Sequence, residues 1–302
     1  MNGVAAERTR KALGICFLAL ILMIFSALAL ETLIIEITEP PIAVTEGVSR
    51  IRRLLEEERY IIHAGGAITR DGIRYTYTNS REALENALAA GNRVIEMDFL
   101  LSRDGYYICG HDGNASGEYP WVRGIDAREA LSREAFLNRK MFGVFTTMDL
   151  GHLAEVMRER DDFYIVTDVK DDVIAFCETV RQRYPELMKR FMIQLYHEAE
   201  YAPVHEMGFP FVILTLYQWS EDEYLSADPK RIARECELVG FTFPAGRWRE
   251  NTPQNRRLLK KMRGAECPLY VHTVDDREEQ KQLFDAGVTA IYTNETDNAA
   301  YR

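Results

Sequence analysis

The sequence predicts an α/β fold: a (β/α)8 barrel of the TIM type, with a β-hairpin inserted after its second strand and one N-terminal transmembrane helix ahead of it. Three observations lead there. From Tyr60 to Asn294, short apolar runs alternate with amphipathic segments, the pattern of repeated βα units. Eight such units fit in about 235 residues, close to the roughly 250 typical of the barrel. Ahead of them, Ala12 to Leu30 is an apolar run of nineteen residues without a charge, near the ~20 that cross a hydrocarbon core as a helix.

In chain order, residues 1–11 are expected to be a cytoplasmic N-terminus, because Arg8, Arg10 and Lys11 precede the apolar run and Glu31, Glu36 and Glu39 follow it. Residues 12–30 form the expected membrane anchor. Ala27-Leu28-Ala29 also has the small-x-small form of a cleavage site, but the run exceeds a signal-peptide core of ~7–15 residues, which favours an uncleaved anchor. Either alternative places the bulk of the chain, the expected barrel included, outside the cytoplasm. Residues 31–59 read as a stalk, broken by Pro40-Pro41 and ending in a short amphipathic pattern from Val48 to Leu55. Residues 60–302 form the barrel domain.

Its strands are expected at Tyr60–His63, Val94–Asp98, Tyr164–Asp168, Phe191–Leu195, Phe211–Thr215, Leu238–Phe241, Leu269–Thr273 and Ala290–Tyr292. A helix is expected over Asn79–Ala90, with Asn79 and Glu82 at capping-box spacing and Gly91 as its stop. Further helices follow Thr147 and occupy Asp172–Arg183 and Asp275–Ala286. After the second strand, Asp104-Gly105 between β-forming residues signals a hairpin.

Composition limits the function classes. The chain of 302 residues has 47% hydrophobic content, enough for a sizeable core. Acidic residues outnumber basic ones 47 to 37, for a net charge of −10, which argues against nucleic acid as a partner and favours a site that recruits cations. The five cysteines are scattered without C-x-x-C spacing, so neither a zinc site nor a disulfide framework is indicated.

The candidate site sits where strands end. Side chains alternate along a strand, so Glu96 and Asp98 project from one face. A hairpin folded at Asp104-Gly105 returns His111 towards them, and Asp168 ends the third strand with Lys170 two residues on. Glu96, Asp98 and Asp168 together make a hard-oxygen environment suited to a divalent cation, Ca²⁺ or Mg²⁺. His63 and His111 suit a proton donor and acceptor pair. Lys170 suits an anionic oxygen, and the combination suits attack on a phosphodiester. His272 and Gln194, with Tyr196, Tyr217 and Gln218, are candidates for shaping the substrate and phosphate pocket. Gly113–Lys140, which contains Trp121, is the candidate recognition loop.

IIHAGG at Ile61–Gly66, YTNSREAL at Tyr77–Leu84, IEMDFLLSRDGYYICGHD at Ile95–Asp112, FTTMDLGHLAEVM at Phe145–Met157, IVTDVK at Ile165–Lys170 and YVHTVDDREEQKQLFDAGVTAIYTN at Tyr270–Asn294 resemble the glycerophosphodiester phosphodiesterase family, a branch of the phosphatidylinositol-phospholipase-C-like barrels. The resemblance implies that His63 and His111 are the acid/base pair. It also implies that Glu96, Asp98 and Asp168 bind the metal and that Lys170 contacts the phosphate or supports the metal site. Members of that family hydrolyse glycerophosphodiesters to glycerol 3-phosphate and an alcohol, through water or through a cyclic phosphate formed by the glycerol hydroxyl.

The chain departs from the family pattern at three places. Ala64 stands where His-Arg-Gly is usual, Asp168 replaces a glutamate, and His272 takes the place of a tryptophan. This is nearer to a HAGG variant subgroup described as phospholipase-C/phosphodiesterase-like. The expected function is therefore a membrane-anchored, metal-dependent phosphodiesterase acting on a glycerophosphodiester or related lipid or polymer headgroup. The alternatives are a lyase that releases a cyclic phosphate and a non-catalytic binding barrel.

Overall fold

Eight parallel strands close on themselves in the computed structural model, which describes residues 44–111 and 132–298 together with Met23. In chain order the strands are β1 (Tyr60–Ile62), β2 (Ile68–Arg70), β3 (Ile73–Tyr75), β4 (Val94–Leu101), β5 (Tyr107–Cys109), β6 (Lys140–Met141), β7 (Phe145–Thr146), β8 (Tyr164–Val169), β9 (Phe191–Leu195), β10 (Val212–Thr215), β11 (Gly240–Pro244), β12 (Leu269–His272) and β13 (Ala290–Thr293). The barrel order is β1-β13-β12-β11-β10-β9-β8-β4, closed by Ile62 opposite Ile95. All eight expected barrel strands are present, with ends displaced by a few residues. The expected hairpin is also there: β5 runs antiparallel to β4, with Phe99 opposite Cys109 and Leu101 opposite Tyr107, around Gly105 at φ 81°.

Alternation along the strands divides the interior into a lower apolar part and an upper polar part. Ile61, Val94, Val166, Met192, Ile213, Tyr270 and Tyr292 fill one cluster. Two residues further along each strand, towards its C-terminal end, the same face carries His63, Glu96, Asp168, Gln194, Thr215, His272 and Asn294. Period two thus turns a greasy layer into a polar one without changing which face is inward.

The other end of the barrel is plugged by a helix over Glu46–Glu58. Thr45 caps it by accepting from the Val48 N–H at 3.3 Å. Its buried stripe of Val48, Ile51 and Leu55 joins the lower cluster beside Phe211 and Val239. Residues 46–58 therefore belong to the barrel's core and not to the expected stalk over 31–59, and the compact unit runs over Ala43–Arg302. The reason is the buried stripe, which a solvated stalk would not need.

A second correction concerns the helix expected over Asn79–Ala90. It spans Arg81–Ala89, and its N-cap is Ser80, which accepts from the Ala83 N–H at 3.2 Å. Glu82 does not complete a capping box; its carboxylate accepts from the Thr146 N–H and hydroxyl, each at 2.8 Å. Asn79 turns its side chain to Asp98 instead.

The expected anchor at residues 12–30 lies, apart from Met23, outside the described residues, as does 112–131 of the candidate recognition loop. Among the described residues no helix is long and apolar enough to cross a membrane. Cys109, Cys177 and Cys236 are buried free thiols and Cys267 is a partly buried one.

Candidate active site

The turn that carries His63 is built from left-handed backbone. Ala64 (φ 49°), Gly65 (φ 80°) and Gly66 (φ 93°) follow one another, a run that glycine tolerates and a small residue endures at a cost of about 1–2 kcal/mol. This bend aims the Ala64 N–H at Glu96, whose Oε2 accepts it at 2.7 Å. Ala64 is fully buried. The position where the resemblance implies an arginine is thus a packed backbone donor here.

Glu96 and Asp98 stand on one face of β4, and Asp168 stands opposite Asp98 in register on β8. All three are buried, and one oxygen from each lies within 4.8 Å of the others. Asn79 clamps Asp98 from both sides, its Nδ2 donating to Asp98 Oδ2 at 2.8 Å and its Oδ1 accepting from the Asp98 N–H at 2.9 Å. Tyr196 and Tyr217 donate their hydroxyls to Asp168, the latter at 3.2 Å. Lys170 donates to Asp168 Oδ2 at 2.7 Å, and its Nζ lies 2.9 Å from Asp98 Oδ1 in an ion pair off the hydrogen-bond direction.

These contacts split the acids electrostatically. Burial pushes the Glu96 carboxyl well above its ordinary range, and the neighbouring Asp98 and Asp168 charges push it further. Burial acts on Asp98 in the same direction, but Lys170, His111 and His63 outweigh it and draw Asp98 well below the usual carboxylate range. Burial draws the Lys170 pKa down, but the Asp98 and Asp168 charges outweigh it and push it well above the ordinary value. Glu96 Oε1 and Asp98 Oδ1 are buried and make no hydrogen bond among the described residues. Glu96 Oε1 thus has no hydrogen-bond donor and Asp98 Oδ1 only the Lys170 charge, and such acceptors in an oxygen-only set fit a Ca²⁺ or Mg²⁺ ion.

The two imidazoles meet at the same rim. Tyr77 lies between them, with its ring edge-to-face against His63 at 4.4 Å and against His111 at 5.5 Å between centroids. His63 Nε2 is 3.9 Å from Glu96 Oε2, and burial lowers its pKa against the opposing pull of Asp98 and Asn294. His272 packs its ring 4.8 Å from His63, 5.1 Å from Tyr292 and 5.4 Å from Tyr217. Burial, then His63 and Lys170, lower its pKa well below the ordinary value. Gln194 is fully buried; it accepts from the Tyr292 hydroxyl at 3.0 Å and donates to Tyr217, so its amide orients the tyrosine that reaches Asp168.

His63, His111, Glu96, Asp98, Asp168, Lys170 and His272 are therefore brought together, with Gln194 one layer beneath. Sequence reasoning missed the clamp by Asn79, whose place before a helix pointed to capping instead. It also missed Tyr77 and Asn294, each of which adjoins a histidine or acid only after the barrel closes.

A closed parallel barrel with acids and imidazoles gathered at the C-terminal rim is the arrangement of a barrel enzyme's site, and its three acids could hold a metal ion. Residues 70–139 match the model of the Glycerophosphoryl diester phosphodiesterase family. Among solved structures, the chain is similar to a glycerophosphoryl diester phosphodiesterase from Parabacteroides distasonis, with 14% identity over 86% of this chain and 92% of that one and a TM-score of 0.61. It is also similar to a glycerophosphodiester phosphodiesterase from Thermotoga maritima, with 17% identity over 79% and 95% and a TM-score of 0.55. A phosphodiesterase from Oleispira antarctica, solved with the product sn-glycerol-3-phosphate, matches with 13% identity over 80% and 95% and a TM-score of 0.57. At these identities the likeness is one of fold. A comparison with curated proteins finds no match.

Proposed function

We propose that this chain is a metal-dependent phosphodiesterase that hydrolyses a glycerophosphodiester or a related lipid or polymer headgroup. The observation that carries the reading is the convergence of Glu96, Asp98 and Asp168 within 4.8 Å, beside two imidazoles that share Tyr77. The product bound by the Oleispira antarctica phosphodiesterase, which shares the fold, is of the class expected.

Glu96, Asp98 and Asp168 would hold the cation, with Ca²⁺ and Mg²⁺ both suited to the donors. When bound, such an ion supplies Lewis-acid polarisation of a phosphoryl oxygen. The chain's own groups do the rest. His63, whose pKa burial lowers, accepts the proton of the attacking water or hydroxyl, and His111 across Tyr77 gives one to the leaving alcohol. The Lys170 ammonium, fixed by Asp98 and Asp168, offers a positive charge to a non-bridging oxygen. His272 and Tyr217 wall the pocket beside His63.

The charge-free run at residues 12–30 supports a membrane-anchored protein with a cytoplasmic N-terminus and an extracytoplasmic barrel. Resistance of the full chain to alkaline carbonate extraction would agree with this; release of an intact chain into the wash would overturn it.

The decisive experiment is turnover of glycerophosphocholine and bis(p-nitrophenyl) phosphate by the purified chain, with and without added Ca²⁺ or Mg²⁺. Metal-dependent cleavage is expected. No turnover across a broad diester panel would leave a binding barrel as the reading. ³¹P NMR of the product separates hydrolysis from cyclising cleavage, because only the latter accumulates a cyclic phosphate.

A further inference from the structure

Beyond the acid/base pair itself, we infer that Asn294 and Asp275 are positioning residues that fix which nitrogen of His63 carries the proton, leaving Nε2 as the basic atom. The inference rests on the proposed role of His63. It is carried by a chain of hydrogen bonds at the end of β13. Asp275 Oδ1 accepts from the Asn294 N–H at 2.7 Å and from the Thr293 hydroxyl at 3.0 Å, while its Oδ2 accepts from Asn294 Nδ2 at 2.9 Å. Asn294 Oδ1 then lies 3.0 Å from His63 Nδ1.

The directions follow from what each group is able to give. Burial would raise the pKa of Asp275, but hydrogen bonds from the Asn294 side chain and backbone and from Thr293 hold it below the ordinary range. An ionised carboxylate only accepts, so the amide of Asn294 must turn its NH₂ towards Asp275. That leaves its carbonyl oxygen facing His63. A carbonyl oxygen also only accepts, so Nδ1 of His63 must be the protonated nitrogen. In the neutral ring, the lone pair is then on Nε2, the nitrogen 3.9 Å from Glu96 Oε2 and hence nearest the acids. Arg74 backs the arrangement from the outside, 3.4 Å from Asp275 and 2.6 Å from Glu295. A histidine whose tautomer is held by an amide that is itself held by a carboxylate is thus a complete three-residue relay, drawn from the turn after β1 and the segments after β12 and β13.

The test is a long-range ¹H–¹⁵N correlation spectrum of the ¹⁵N-histidine-labelled full chain at mildly alkaline pH. The His63 signals are assigned by their loss in His63→Gln. The wild type is expected to show a protonated Nδ1 and a bare Nε2 at His63 without any substrate. Asn294→Leu should move the ring towards the other tautomer and lower kcat roughly 10–100-fold, with KM changed less than about 3-fold. Asn294→Asp, which keeps an acceptor at the same place, should retain the tautomer and recover much of kcat. Asp275→Asn removes the group that orients the amide and should give a mixture of tautomers. A wild-type His63 protonated at Nε2 overturns the inference, as does an Asn294→Leu variant with tautomer and kcat unchanged. Because the spectrum needs no turnover, an inactive wild type would count against the phosphodiesterase reading and leave the relay to be judged on the tautomer alone.

Discussion

Asp98 and Asp168 face each other in register on the adjacent parallel strands β4 and β8. Neighbouring strands lie ~4.8 Å apart, so this register forces two carboxylates together in the barrel interior, where unshielded like charges are costly. Lys170, two residues beyond Asp168 on the same face, reaches back to both acids at 2.9 and 2.7 Å. The arrangement explains why a chain of net charge −10 places one of its cations within an acidic site.

Removing that cation should expose the cost. Lys170→Met leaves buried carboxylates without their partner, and the expected loss of stability without divalent ion is about 3–5 kcal/mol. Thermal melts should show the loss shrinking when millimolar Ca²⁺ or Mg²⁺ is added. A variant as stable as the wild type in chelator would contradict the assigned role.

Cation binding should release protons, because Glu96 is pushed towards its protonated form by burial and by its two acidic neighbours. The raised pKa means that the proton is present at low pH and must leave for the carboxylate to bind a metal ion. Affinity should therefore fall as pH falls. Calorimetric titrations in buffers of different ionisation enthalpy measure the protons released. Glu96→Gln should abolish the buffer dependence, and a wild type that shows none would refute the assignment.

His63→Ala and His111→Ala should each lower kcat by roughly 10²–10⁴-fold, the range for a lost acid or base, with the far-UV circular dichroism spectrum retained. The double variant should be little worse than either single one, since the two act on one proton-transfer sequence. An active double variant would remove the pair from the mechanism.

Gly66 is held by space as well as by backbone. A Cβ there would lie 2.6 Å from Thr296 Cγ2 and 2.9 Å from Ile62 Cγ2, at φ 93°. Gly66→Ala should cost roughly 2–4 kcal/mol from overpacking and left-handed strain together, and it should lower activity by displacing His63. Gly72→Ala shares a positive φ but has no neighbour within 4 Å, so it should cost only the strain, about 1–2 kcal/mol. Denaturant melts of the two variants compare the terms directly.

Much of this architecture was legible in the sequence because it depends on period. Apolar runs gave the barrel strands, and the two-residue spacing of Glu96 and Asp98 put them on one face. The Asp104-Gly105 turn gave the hairpin that returns His111. What escaped depends on contacts between segments far apart in the chain. Asn79 and Ser80 are both competent caps, and only the position of Asp98 decides that Asn79 clamps the acid while Ser80 caps the helix. The helix over Glu46–Glu58 was visible as an amphipathic pattern, but its partner was not, since nothing local says that Val48, Ile51 and Leu55 meet Phe211 and Val239. The tyrosines at 196 and 217 were recognisable as pocket candidates; that their hydroxyls end on Asp168 follows from barrel closure.

The closing strand β1 has β4 on one side and the last strand, β13, on the other. His63 leaves β1 at that seam, between acids contributed by an early segment and Asn294 contributed by a late one. During synthesis, the carboxylates of β4 and β8 exist long before β13 has been made. A growing chain would therefore carry these acids well ahead of the asparagine that meets the His63 ring, and the rim would be complete only with the final turn of the cylinder.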